Sequence, residues 1–275
     1  MNSINIFGGN GFIGSRYCQL TSNIIKNDRN DYQIKSDNVV YFISTISNYN
    51  VLTDPFLDIE TNLTILMNVL ESCNKNSNLV FNFISTYSVY AANDSPVLEN
   101  DHCDPKGFYS ITKRTAEQLL ESYCKTFNLK YRIIRLSNVL GKQKLTDKKP
   151  NSIQELFSKI QNNEDVYLYD CGSHIRDFIH VDDVVGAINS ILDKGNTNAI
   201  YNVGLGKSYS VLELLQNYRD KIGSNSNFGC REPSEFHKKV QQIKNFKMNI
   251  NKLKNLGFNH KYDSLDKIVE QLCKQ

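Results

Sequence analysis

Nothing in this 275-residue chain approaches the ~20 consecutive apolar residues that cross a bilayer, and its start, Met-Asn-Ser-Ile-Asn-Ile, has no basic segment leading into an apolar core. No membrane partner is expected, and the expected location is the cytoplasm. No basic stripe is present either: 32 lysines and arginines are interspersed with 29 acids for a net charge of +3, so nucleic acid is not an expected partner. Cysteine spacing of the C-x-x-C kind is missing. The seven cysteines (18, 73, 103, 124, 171, 230 and 273) are scattered, which argues against zinc; no metal is expected, and the odd count fits idle or buried thiols in a reducing compartment. Internal repeats and low-complexity segments are absent. What remains is an even balance, 40% hydrophobic and 22% charged, which suits one large domain or a domain with a lobe.

Ser3 to Phe7 reads as a short strand that runs into Gly8-Gly-Asn-Gly11-Phe12-Ile13-Gly14, and a helical pattern through Ile13, Tyr17 and Leu20 follows. Strand, glycines and helix in that order make a dinucleotide site: Gly8 permits the tight turn, Gly11 lets backbone approach a pyrophosphate, and Gly14 lets the helix pack on the strand. A second strand is expected at Asn23 to Lys26. Asp28 lies about 20 residues beyond Gly8, where an acid that binds the adenosine ribose belongs, and Arg29 stands beside it. The acid points to NAD and the arginine to NADP, or both belong to a turn over Asn27 to Asp31. Val39 to Ile43 is a buried strand, so close behind that part of the nucleotide-binding half must be abbreviated.

Leu63, Leu66, Met67 and Leu70 mark one face of a helix that begins near Ile59. The strand Leu79 to Ile84 ends in Ser85-Thr86-Tyr87-Ser88-Val89-Tyr90, which puts hydroxyls at a carboxyl end, where open α/β sheets place their ligands. On the next helix Tyr109 and Lys113 are four residues apart and share a face. A free tyrosine keeps its proton up to a pKa of ~10, but an ammonium held beside it favours the phenolate and makes a general base. Further strands are expected at Tyr131 to Leu136, Val166 to Tyr169 and Ile200 to Val203. A basic loop covers Lys142 to Asn151, and a helix Ile153 to Gln161. The run His174 to Asp183 is expected to open a helix with two acids in its first turn, with His180 as a structural loop histidine. The tail from Lys207 reads as helix, loop and helix in a small lobe.

With these residues placed, the chain resembles the extended short-chain dehydrogenase/reductases, specifically the nucleotide-sugar epimerase/dehydratase family, over nearly its whole length. The motifs stand in the family's order: Gly8-x-x-Gly11-x-x-Gly14, Ser85-Thr86, Tyr109-x-x-x-Lys113, Arg135-Leu-Ser-Asn138-Val, Arg176-Asp-Phe-Ile-His180-Val-Asp-Asp and Tyr201-Asn-Val-Gly. The resemblance implies that Tyr109 is the base, that Lys113 binds the nicotinamide ribose and that Thr86 holds the sugar hydroxyl. It further implies that Asn138 and Arg176 bind the diphosphate side of a nucleotide-sugar. The family's 4,6-dehydratases carry Asp-Glu where Tyr87 and Ser88 stand, so that reaction is disfavoured. A homodimer is also implied, built from the helices at 59–73 and 109–127 with Met67, Ala116 and Leu120 on a second apolar face.

These readings converge on an α/β, Rossmann-type doubly wound parallel sheet, abbreviated in its first half, with a small C-terminal substrate lobe. Residues 1–141 and 173–205 are expected to bind NAD or NADP, with NAD favoured, and residues 142–172 and 206–275 to bind substrate. The expected activity is a nucleotide-sugar epimerase that works through a 4-keto intermediate with Tyr109 as base. An NADPH-dependent 4-keto reductase is the alternative, and a non-catalytic NAD(P)-binding sensor the alternative of another class.

Overall fold

All four residues of β1 (Ile4–Phe7) are buried, and the first half of the fold is laid against them. The computed structural model describes residues 3–73, 78–91, 95–142, 152–240 and 243–274. A glycine loop leads to α1 (Phe12–Leu20) and then to β2 (Ile24–Lys26), which pairs parallel with one side of β1 while β3 (Asn38–Tyr41) pairs parallel with the other. Residues 27–37 make the crossing from β2 to β3 without a helix. Parallel strands usually need a helical crossover of roughly a dozen residues or more. Here an extended strap carries its own cover: Tyr32 and Ile34 pack on the apolar cluster that includes Tyr41, Leu66 and Phe81, and Asn5 Oδ1 accepts the Lys35 amide at 2.8 Å. The abbreviation expected from the spacing is this strap.

Helix α2 (Leu57–Ile59), a π-helical turn (Glu60–Thr64) and α3 (Ile65–Cys73) follow one another and lead to β4 (Val80–Thr86), α4 (Phe108–Thr126) and β5 (Lys130–Leu136). After them come β6 (Asn138–Leu140), α5 (Ser152–Gln161), β7 (Val166–Tyr169), β8 (Ile175–His180), α6 (Val181–Lys194) and β9 (Ala199–Val203). The large sheet has the order β2-β1-β3-β4-β5-β9, all parallel. This is the common doubly wound order with the strand outside β2 left out. Both faces are covered, as buried parallel strands require. Leu66, Val69 and Leu70 of α3 join Ala116 and Leu120 of α4 on one face, and Tyr17 of α1 joins Val184, Ile188 and Ile191 of α6 on the other.

The remaining elements are β10 (Ser208–Ser210), α7 (Val211–Ile222), β11 (Phe228–Arg231), α8 (Glu235–Val240), α9 (Asn251–Lys254) and α10 (Leu265–Cys273). With the three-stranded sheet β10-β8-β6 and the pair β11-β7, α7 and α10 form the smaller lobe, whose core includes Phe157, Ile160, Leu168, Leu214 and Ile268. Several expectations need correction. Residues 175–180 are a strand, and the helix with Asp182 and Asp183 in its first turn begins only at Val181. The tail is divided rather than confined to the lobe: Leu253 and Phe258 return to the core of the large sheet, and Lys252 Nζ donates to the Ile200 carbonyl at 2.6 Å. Cys171 and Cys230 are not idle thiols but a disulfide, formed where β7 and β11 run side by side in register. Most of the expected basic loop, from residue 143 to 151, lies outside the described residues.

Candidate functional site

The parallel sheet brings the ends of β1, β3 and β4 to one edge, and the candidate residues gather there. Gly8 has φ +80°, and a Cβ on it would lie 2.8 Å from the Ile43 amide nitrogen, so only glycine fits the turn. The Gly11 amide donates to the Gly8 carbonyl at 3.1 Å, and a Cβ at Gly14 would collide with that same carbonyl oxygen. Helix α1 therefore seats directly on the loop. Its N-cap, Gly11, offers no side-chain hydrogen bond, and its first turn, which includes Phe12, Ile13 and Gly14, holds no acid. Uncapped amides and a positive helix end suit a pyrophosphate, so these residues fit a bound dinucleotide.

Asp28 and Arg29 follow β2 at the carboxyl end of the sheet. They are exposed in a turn beyond β2, held by buried Asn27, whose Nδ2 donates to the Asp31 and Gln33 carbonyls at 3.2 and 2.8 Å. From the end of β2, Lys26 Nζ donates to Asn10 Oδ1 in this loop at 2.6 Å.

Tyr109 sits in the first turn of α4, its ring partly exposed and its hydroxyl within reach of two others. Burial pushes the phenol up to about 12, while hydrogen bonds with Thr86 and Ser44 pull the other way. Thr86 ends β4 and also accepts the Ser88 amide at 3.2 Å. Lys113, one turn on, is 2% exposed. Its Nζ donates to the Ile84 carbonyl at 2.7 Å and stands 4.0 Å from the centre of the Phe83 ring, two partners the spacing did not announce. A shared face fixes where a lysine starts, not where its four-carbon stem ends. Burial lowers Lys113 to about 7, opposed by Glu117 one turn further on.

A buried polar network under Tyr109 had no warning in the motifs. Asn62, in the π-turn, accepts the Thr45 amide at 2.9 Å and donates to the hydroxyls of Thr45 and Thr112 at 2.8 and 2.9 Å. Thr112 Oγ1 donates in turn to the Tyr109 carbonyl at 3.0 Å. Thr45 also donates to Asp58 Oδ1, which takes the Asn50 amide group at 3.1 Å. The network ties the end of β3 to the turn that carries Tyr109. Its one visible signal is a polar residue, Asn62, beside the apolar stripe of its helix.

On the lobe side, Asn138 opens β6. It accepts the Tyr87 hydroxyl at 3.2 Å and donates to the Asp177 carbonyl at 3.3 Å, while the Tyr87 ring packs on Phe246 with centroids 4.6 Å apart. Arg176 is nearly buried, and its Nη1 donates to the Ile175 and Lys244 carbonyls, both at 2.8 Å. Two residues missed in the sequence stand in the same region: Arg231 over the Tyr169 ring at 4.0 Å, and His237, whose ring centroid is 4.2 Å from that of the same tyrosine. His237 Nδ1 lies 2.5 Å from the Tyr49 hydroxyl, so α8 meets the loop that follows β3. His180 caps α6 through Nδ1, which accepts the Asp182 amide at 3.2 Å, and burial lowers it to about 4; its place in the fold is structural.

Residues 26–204 match the family model described as NAD dependent epimerase/dehydratase family; the glycine loop precedes this span. The low-salt glycan biosynthesis protein Agl12 of Haloferax volcanii is 29% identical over 68% of this chain and 59% of its own length. The dTDP-D-glucose 4,6-dehydratase of Dictyostelium discoideum is 27% identical over 57% of this chain, which spans only 38% of that protein. Among solved structures, the UDP-glucose 4-epimerase of Thermotoga maritima, determined with UDP-glucose, superposes with a TM-score of 0.85 at 23% identity, covering 100% of this chain and 99% of that one. At that identity the likeness is one of fold. With a family-model match over residues 26–204, well more than half its length, the chain belongs to the NAD-dependent epimerase/dehydratase family.

Proposed function

We propose that the protein is a nicotinamide-dependent nucleotide-sugar enzyme that acts at a sugar C4 position, as a 4-epimerase. The observation that carries this reading is the placement of Tyr109 in the first turn of α4 and of Thr86 at the end of β4, at the same sheet edge as the glycine loop. A bound nicotinamide supplies hydride exchange, and Gly8, Gly11, Phe12, Ile13 and Gly14 are the residues that suit its pyrophosphate. Tyr109 moves the proton. Raised to about 12, it rests protonated, ready to give its proton to a carbonyl oxygen at C4 and to take it back in the oxidative direction, with Thr86 orienting that oxygen. Lys113 is assigned to the nicotinamide ribose, which requires its ammonium to share or leave the Ile84 carbonyl. Asn138 and Arg176, with Arg231 nearby, suit the diphosphate side, where guanidinium groups make charge-assisted forks. Tyr87 and Ser88 are engaged with Asn138 and Thr86 and offer no carboxyl group for elimination of water.

A second reading, a 4-keto reductase using NADPH, is favoured by two observations: the resting protonation of Tyr109 and the cation at the glycine loop. UDP-glucose, which the T. maritima structure contains, is the first probe, with the C4 epimer followed by NMR. Tyr109→Phe is expected to keep its dinucleotide affinity and lose nearly all turnover. A variant that retained more than about a tenth of the rate, a deficit below ~1.4 kcal/mol in the barrier, would show that the phenol is not the proton carrier.

A further inference from the structure

We propose that the Cys171–Cys230 disulfide is a redox-sensitive clasp that holds Arg231 and α8 at the substrate side of the site. This rests on the reading of Arg231 as a contact for the diphosphate of a nucleotide-sugar. The bond joins positions 59 residues apart in sequence, where β7 and β11 run side by side with Cys230 opposite Leu168 and Arg231 opposite Tyr169. Among the described residues β11 pairs with no strand but β7, and two strands alone hold together weakly. Phe228, at the start of β11, packs on the lobe core. At the other end Cys230 and Arg231 are exposed, and the disulfide is what ties that end down.

The tie matters because of what hangs from it. Among the described residues Arg231 has no carboxylate within ion-pair distance; its guanidinium rests on the Tyr169 ring at 4.0 Å. Its place is therefore set by the two backbones that the disulfide joins. Helix α8 follows, and its Phe236 and His237 reach across to Tyr49, with ring centroids 5.2 Å apart for the first and Nδ1 2.5 Å from the hydroxyl for the second. Beside Tyr49, Asn48 Oδ1 accepts the Ser110 amide at 3.2 Å, next to Tyr109. A line of contacts thus runs from the disulfide to the turn that carries the phenol.

The bond is also placed to open. Cys171 and Cys230 are both exposed, so a reductant reaches them. Asp170, Cys171 and Gly172 have φ of +46°, +53° and +73° in succession, a left-handed run that residues with a Cβ seldom adopt. The thiolate of a dithiol attacks one sulfur and displaces the other, and its second thiol then displaces the protein sulfur from the mixed disulfide. The S–S bond is broken, both cysteines end as thiols, and the dithiol supplies the two electrons and ends as a disulfide. Once freed, the turn at 170–172 relaxes, and the end of β11 keeps only its ladder bonds. Arg231 and α8 move with it.

The test compares protein equilibrated with oxidised glutathione and the same protein treated with dithiothreitol. A thiol reagent on the unfolded chain should count the five free cysteines in the first and all seven in the second, and peptide mapping should place the missing pair at 171 and 230. Calorimetric titration with UDP and with dTDP is expected to show binding at least about tenfold weaker in the reduced protein, as the loss of one charge-assisted contact requires, with NADH affinity unchanged. Reoxidation should restore the affinity, and amide exchange over residues 228–240 should quicken on reduction. Cys171→Ser with Cys230→Ser should match the reduced protein under both treatments, with urea unfolding confirming that it is folded. Seven thiols after oxidation, equal diphosphate affinity in the two states, or a loss shared by NADH overturns the proposal and leaves the substrate reading standing. Failure of both forms to bind either diphosphate overturns both.

Discussion

Lys113 is a cation enclosed by a helix, a strand carbonyl and an aromatic face, and the enclosure has a measurable consequence. Its pKa is lowered from 10.5 to about 7, so between about pH 7 and 10 the unfolded chain binds the proton more tightly than the folded one. Stability gained from this residue therefore rises with pH across that window. In urea, the stability of wild type relative to Lys113→Met should increase from pH 7 to pH 9.5. A difference between the two proteins that is the same at both pH values would contradict the burial of the ammonium. The pairing of Tyr109 with Lys113 on one face was legible in the sequence, because helical spacing determines faces. The destination of the lysine was not, since it depends on which carbonyl a flexible stem meets. Asn62 and Thr112 were illegible for a similar reason: each hydrogen-bonds across elements far apart in sequence, and no spacing rule reports such a pair.

At the scale of elements, the glycine loop is the segment that tolerates least change. Gly14 has the Gly8 carbonyl beneath it and the Gly9 Cα 3.1 Å from where a Cβ would be, so a larger residue must lift α1 from the loop. Gly14→Val is expected to cost about 1–3 kcal/mol of stability, as overpacking does, and to weaken NADPH and NADH binding by more than about tenfold, a loss of ~1.4 kcal/mol. A titration that leaves both affinities within a factor of two of wild type would remove the loop from the cofactor site. Strand β1, the loop and α1 were readable because apolar run, glycines and helical period follow in order, each with a local cause. Strand β8 was read as the opening of a helix because the acids at 182 and 183 mark an N-terminus. The residues before them, Ile175–His180, pair with two strands distant in sequence, β6 and β10. The strap at 27–37 could be counted as too short for a helix, but not seen to cover the sheet with Tyr32 and Ile34.

At the scale of the whole molecule, a two-fold dimer would have to use residues other than Ala116 and Leu120. Ala116 and Leu120 are fully buried in the chain's own core and so are not available as a second apolar face, and Met67 is half-buried against that same cluster. Helix α4 does present one: Phe108, Ile111 and Leu119 are 43%, 45% and 36% exposed and lie on one stripe at helical spacing, with Thr115 between them. Leu57 and Ile59 on the neighbouring helix are also exposed, at 37% and 42%. Large apolar side chains left in water along adjacent helices favour burial against a partner, and a two-fold axis makes one such face complete another of the same kind. Light scattering at tens of micromolar is expected to give twice the 31.5 kDa chain mass, and Ile111→Glu with Leu119→Glu should return it to the single-chain value without loss of fold. Met67→Lys is expected to disturb the chain's own packing more than its association, so its effect should appear first in the unfolding curve. A single-chain mass for wild type, or a double mass that persists in the glutamate variant, would show that this stripe is not where two copies meet.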